Sequence, residues 1–332
     1  MRTSLTDLLG IEHPIVQAPI GSAASPTLAT AVSRAGALGH ISATFVPLES
    51  IGRVVDDVRI ETDAPFAANV LLEWPPEERL DAVLGAGVGV VSLAWGDPAP
   101  WVGRIHDGGA LVLATVGSAE EARRAEAAGV DVVVAQGWEA GGHVWGTVAT
   151  TVLVPAVRDA VSIPVVAAGG IADGRGLAAA LALGADGVWV GTRFLLAHEA
   201  PIHPTYRNAL LGADETGTVY VDDLFHIGWE DAPHRALRNS TVARWEEAGR
   251  PPIGQRPGEG DEVAARTDGA PVLRYQTSLP LEGMTGELEA LSLYAGQSAG
   301  LIGGVQPAAA IVNDIVAEAE NVLRRLGAHT GP

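Results

Sequence analysis

The 332-residue chain contains no cysteine and no lysine; all 21 of its basic residues are arginine. Without cysteine there is no disulfide, thiolate zinc site, iron–sulfur cluster or cysteine nucleophile. Without lysine, Schiff-base catalysis and the lysine-dependent phosphate loop of nucleotide hydrolases are excluded. Positive charge is scarce altogether. The 21 Arg face 40 Asp and Glu, a formal charge of −19, which repels phosphate-rich partners and argues against nucleic acid or an anionic membrane. No apolar stretch approaches the ~20 residues of a membrane-spanning helix, and the opening MRTSLTDLLGIEHPIVQ lacks the apolar core of a secretion signal. These absences predict a soluble, cytoplasmic protein. H-E-x-x-H and similar spacings are also missing, so no metal site is expected.

What remains is rich in core-forming residues, with 47% hydrophobic side chains, enough to exclude whole-chain disorder. Short apolar runs recur at 15–19, 38–42, 66–70, 88–93, 110–116, 131–135, 165–168 and 187–190. Being Val/Ile/Ala-rich and bounded by Gly or Pro, they predict buried parallel strands. Helical patterns lie between them. Ser25-Pro26 opens one, Ser118 with Glu121 forms a capping-box pattern before the next, and Asp173 caps a run that Gly184 ends. Eight strands alternating with helices predict a (β/α)8 TIM barrel of the α/β class rather than an open doubly wound sheet. No G-x-G-x-x-G follows the first strand, as the open sheet would require. The pattern changes at 198–286, which reads as an inserted smaller subdomain on the substrate side. The barrel then comprises 1–197 and 287–332, with helices expected at 287–293 and 307–326.

Barrel active sites lie at the C-terminal ends of the strands, often with a phosphate site after the seventh and eighth. Gly169-Gly170 follows the seventh run and Gly191-Thr192 the eighth. Glycines there let backbone N–H groups approach a phosphate closely. After the sixth run, Gly141-Gly142 immediately precedes His143, a turn that can aim an imidazole over a ligand for proton transfer near neutral pH. Asn69, near the end of the third run, has the polarity to hydrogen-bond a ligand ring.

Four segments carry a more specific likeness: QAPIG at 17–21, AQGWEAGGH at 135–143, AAGGIADGRGLAAALALGADGVWVGTRF at 167–194 and LYAGQSAGLI at 293–302. In this order they resemble the nitronate monooxygenase family, formerly the 2-nitropropane dioxygenases. The resemblance implies an FMN-dependent barrel with an inserted domain, acting on small nitronates with O2 through a flavin semiquinone to give carbonyl compound and nitrite. It implies FMN contacts at Ala18, Pro19, Ile20, Asn69, Gln136, Gly141, Gly142 and Gly169. A phosphate hold is implied at Gly170, Trp189, Val190, Gly191 and Thr192, and an approach to the ring by Gln297. His143 matches the family's active-site histidine. Val144-Trp145-Gly146 departs from the basic residue and glycine the family commonly places next. Two alternatives remain open. One is an FMN-dependent NAD(P)H reductase of an enoyl thioester or quinone, which shares GGH loops but tends to carry an acidic residue at the position of Gln136. The other is a non-catalytic flavin- or phosphate-binding barrel. A homodimer is compatible with either.

Overall fold

A computed structural model describes residues 1–329. Eight parallel strands form its centre: β1 (Ile15–Gln17), β2 (Gly39–Ser42), β3 (Phe66–Leu71), β4 (Val90–Ala94), β5 (Leu111–Val116), β6 (Val132–Gln136), β7 (Val165–Ala168) and β8 (Gly187–Val190). They pair in chain order from β2 to β8, β8 pairs β1, and a bridge from Val16 to Leu38 closes the cylinder. The helices between them are α1 (Pro26–Arg34), α2 (Ile51–Glu61), α3 (Glu77–Gly85), α4 (Ala99–Asp107), α5 (Ala119–Ala127), α6 (Thr150–Arg158) and α7 (Gly174–Ala182). The caps foreseen at Ser25, Ser118 and Asp173 each accept backbone N–H bonds in the first turn of their helix.

Period-2 alternation sorts the strand side chains into two cores. Ile15, Val70, Val133, Val165 and Val188 face outward into the helical layer, while Val16, Ala67, Leu113, Val134 and Val166 fill the barrel interior. Leu5 and Leu9 of a helix at Ser4–Leu9, with Ile11, pack into that inner cluster. The ligand side is therefore the opposite, C-terminal end.

The eighth barrel helix, α8 (Ala308–His329), packs against α7 and α1. Between β8 and α8 lie all the non-barrel strands except Gly142–His143. Thr218–Val221 pairs with His234–Leu237, which also pairs with Gly142–His143. A second small sheet joins Glu262–Ala265 to Pro271–Leu273 and Thr285–Gly286. The helix expected at 287–293 is only a 3-10 turn at Leu288–Ala290. The cause is lost acceptors: the Asn239 amide donates to the carbonyls of Glu289 and Leu291, and the Thr241 hydroxyl to that of Ala290. Those oxygens are unavailable to an α-helical ladder.

Candidate active site

The C-terminal strand ends enclose a cavity of about 620 Å³, within the range that holds a cofactor or drug-sized ligand. Of the residues expected at the site, Ala18, Pro19, Ile20, Asn69, Gln136, Gly141, Gly142, His143, Gly169, Gly170, Trp189, Gly191 and Thr192 all line it. Val190 and Gln297 do not. Val190 is an outward-facing strand residue buried in the helical layer. Gln297 is at the start of a 3-10 turn, its N–H donating to the Glu139 carbonyl, and its neighbours Gly296 and Ser298 reach the cavity instead.

The β7 end turns through Gly169 (φ 101°) and Gly170 (φ 73°). Two successive residues with positive φ are open only to glycine without strain. At the adjacent β8 end the Thr192 hydroxyl accepts the Gly296 N–H, which leaves its own proton to donate. A flavin phosphate fits this donor set, and the uncharged strand ends of β1, β3 and β6 fit its ring. Gly141 serves differently. A Cβ there would come within 2.2 Å of the Gly296 nitrogen, so the β6 loop and the 295–297 segment touch backbone to backbone.

His143 is held by that loop and by the strand His234–Leu237. Its backbone pairs with His234 across the small sheet. The Gln136 amide, at the end of β6, donates to the His143 carbonyl at 3.1 Å and accepts from the Trp145 N–H at 2.8 Å. Gln136 thus spends its polar atoms on the loop that carries the histidine. The imidazole stacks on Trp229 (3.8 Å between centroids, 29° between planes) and packs against Trp95 at 5.6 Å, Tyr294 at 5.1 Å and His234 at 5.6 Å. Enclosure by these rings, and secondarily the neighbouring His234, pushes the His143 pKa well below the ordinary histidine value. The ring is neutral at pH 7. Its Nε2 is buried without a partner among the described residues.

Trp229 Nε1 and Tyr294 Oη are likewise buried and unpartnered, a concentration of unsatisfied polar groups that calls for a functional account. Burial raises the Tyr294 pKa, so its hydroxyl stays protonated. His234 is different. Its Nδ1 bonds the Ala232 carbonyl and its Nε2 accepts the Phe225 N–H, while burial holds its pKa at about 4. It is a satisfied core histidine. His40 lies on β2 against Trp189 with neither ring nitrogen partnered among the described residues, and burial lowers its pKa to about 3.

Two residues of this cluster escaped the sequence-based reading, Trp95 and Tyr294. Trp95 follows β4 with φ 65°, a conformation rare for a bulky side chain and typical of functional sites. Nothing local in the sequence marks it. Tyr294 lies within the LYAGQ segment, but its ring meets His143 only through the fold. Among the described residues, Arg266 is the one arginine lining the cavity and Glu282 the one carboxylate. Arg266 is exposed at the tip of the hairpin between Glu262–Ala265 and Pro271–Leu273.

Comparison with known proteins agrees with this architecture. The nitronate monooxygenase family model matches residues 2–78 and 75–318. A (3aS,4S,5R,7aS)-5-hydroxy-7a-methyl-1-oxo-octahydro-1H-indene-4-carboxyl-CoA dehydrogenase of Mycobacterium tuberculosis is 39% identical over 75% of this chain and 70% of its own length. A probable nitronate monooxygenase of Staphylococcus saprophyticus is 31% identical over 74% and 81%. Among solved structures, FabK from Thermotoga maritima superposes with a TM-score of 0.85 at 35% identity, covering 99% of both chains. A nitroalkane oxidase from Streptomyces ansochromogenes gives 0.80 at 30%, covering 98% and 100%. These relatives are enzymes, and the chain is a flavin-dependent oxidoreductase with a TIM-barrel fold. It belongs to the nitronate monooxygenase family.

Proposed function

We propose that the protein binds FMN and oxidises alkyl nitronates with O2, releasing carbonyl compound and nitrite. The observation that carries this reading is a neutral, aromatic-enclosed His143 facing a cavity with one monophosphate-type hold. Gly169-Gly170 and Gly191-Thr192 would hold the phosphate, and Ala18-Pro19-Ile20 and Asn69 would lie along the ring. No second nucleotide fingerprint exists to suit FAD. When bound, the cofactor supplies the electron acceptor for the substrate and the donor to O2.

The chain's own residues supply the rest. A nitronate enters already deprotonated. A neutral nitroalkane loses its α-proton to His143, leaving a nitronate anion beside an imidazolium. The aromatic walls exclude water, which strengthens every charge interaction within. Gln136 fixes the loop so that the imidazole edge stays at the cavity. The test is stoichiometric: purified protein supplied with a nitronate consumes O2 and releases nitrite. O2 uptake without nitrite overturns the reading.

A second reading, a dehydrogenase or reductase of a CoA thioester, is favoured by one feature. Arg266, exposed at the mouth, is placed to meet a phosphate-bearing tail, and the 39% identical relative is named for a CoA substrate.

A further inference from the structure

Proton uptake would make the His143 ring a cation, and among the described residues no carboxylate is ion-paired with it. The two titratable groups packed on it are His234 and Tyr294. His234 has its nitrogens committed to backbone and is neutral, and Tyr294 keeps its proton. The remaining neighbours are indoles. Trp95 meets the imidazole edgewise at 77°, whereas Trp229 lies nearly parallel, with centroids 3.8 Å apart. The face of an indole is its electron-rich side, and a cation over it is attracted most strongly where water is excluded. Trp229 is only 6% exposed.

The insertion also fixes that indole in place. The Trp229 backbone N–H donates to the His226 carbonyl, the Ile227 backbone N–H to that of Tyr275, and the Thr277 backbone N–H to that of Ile227. The indole is braced further by Trp74 at 5.2 Å and Trp95 at 5.0 Å. On the reading of His143 as the base given above, we propose that Trp229 is its positioning residue: the indole face orients the imidazole and stabilises the imidazolium formed when a neutral carbon acid surrenders its α-proton. The insertion thereby contributes to the proton transfer itself. A nitronate, which needs no proton removed, draws on the stack less.

The test uses the FMN-loaded protein with matched pairs of a neutral nitroalkane and its nitronate, in Trp229→Leu and Trp229→Phe. Losing the stack lowers the kinetic pKa of kcat/KM for the nitroalkane by about one pH unit. It also cuts the nitroalkane-to-nitronate ratio of kcat/KM about 3- to 10-fold. The phenyl ring in Trp229→Phe restores most of both, which separates the stack from mere filling of space. FMN content and near-UV circular dichroism identify any variant that fails to fold, and Trp229→Phe then carries the comparison. An unmoved pH profile, or equal losses on both substrates, overturns the role of Trp229. If His143→Asn leaves nitroalkane turnover intact, both the base assignment and this inference fall.

Discussion

Replacing Gln136 by Leu removes the two bonds that tie the end of β6 to the loop carrying His143. The wild-type amide donates to the His143 carbonyl at 3.1 Å and accepts from the Trp145 N–H at 2.8 Å. Trp145 is 38% exposed, so water replaces its lost partner and that bond contributes little to stability. His143 is half-buried, and an unsatisfied carbonyl there costs about 1–3 kcal/mol. The sum is about 2 kcal/mol, a Tm lower by a few degrees. Catalysis suffers more, because a histidine displaced by about 1 Å loses on the order of 10²-fold. Thermal unfolding and kcat/KM for a nitroalkane, measured per bound FMN, check both figures. If Gln136 acted chiefly as a cofactor contact, the variant would lose FMN while each remaining flavin turned over normally. That pattern would refute the clamp.

Three further outcomes follow from the geometry. Gly170→Val should abolish FMN retention: a Cβ has room, its nearest neighbour being the Glu139 Cβ at 3.7 Å, but a β-branched residue resists φ 73° and the turn would rotate its amides out of the cavity; normal FMN content in the variant counts against the phosphate assignment. His143→Asn should lower neutral nitroalkane turnover roughly 10²–10⁴-fold and nitronate turnover far less, with FMN content kept. His40, neutral in the fold with a pKa of about 3 against 6.5 unfolded, costs nothing above pH 6.5. As pH falls below 6.5 the unfolded chain takes up a proton the native state refuses, so stability declines by about 1.4 kcal/mol per pH unit. His40→Leu should remove that share, so denaturation titrations at pH 6 and 4.5 should separate the two proteins progressively; parallel curves would contradict the buried neutral histidine.

The barrel was legible because its strands are buried on both faces and therefore read as continuous apolar runs. All eight observed strands lie inside the expected bounds or within one residue of them; β1 ends two residues early at Gln17, and β4 begins two residues late, after the turn that contains Gly87 and Gly89. The glycine pairs and His143 were legible because their chemistry is local to strand ends. What surrounds His143 was not. Trp95 follows β4 and Tyr294 lies in the LYAGQ segment, and only tertiary packing brings them to the ring that Trp229 stacks on. The role of Gln136 was hidden for the same reason. Its partners at 143 and 145 are near in sequence, but the bonds depend on how Gly141 and Gly142 fold the loop back. The missing helix at 287–293 shows side chains of a distant helix overriding local propensity.

The most direct measurement is anaerobic reduction of the bound flavin, followed by bleaching of its visible absorbance, with a nitronate, NADH, NADPH and an acyl-CoA offered separately. The nitronate should bleach the flavin rapidly, and oxygen should then restore the colour. Bleaching by a nicotinamide cofactor or the acyl-CoA, with the nitronate inert, would contradict it.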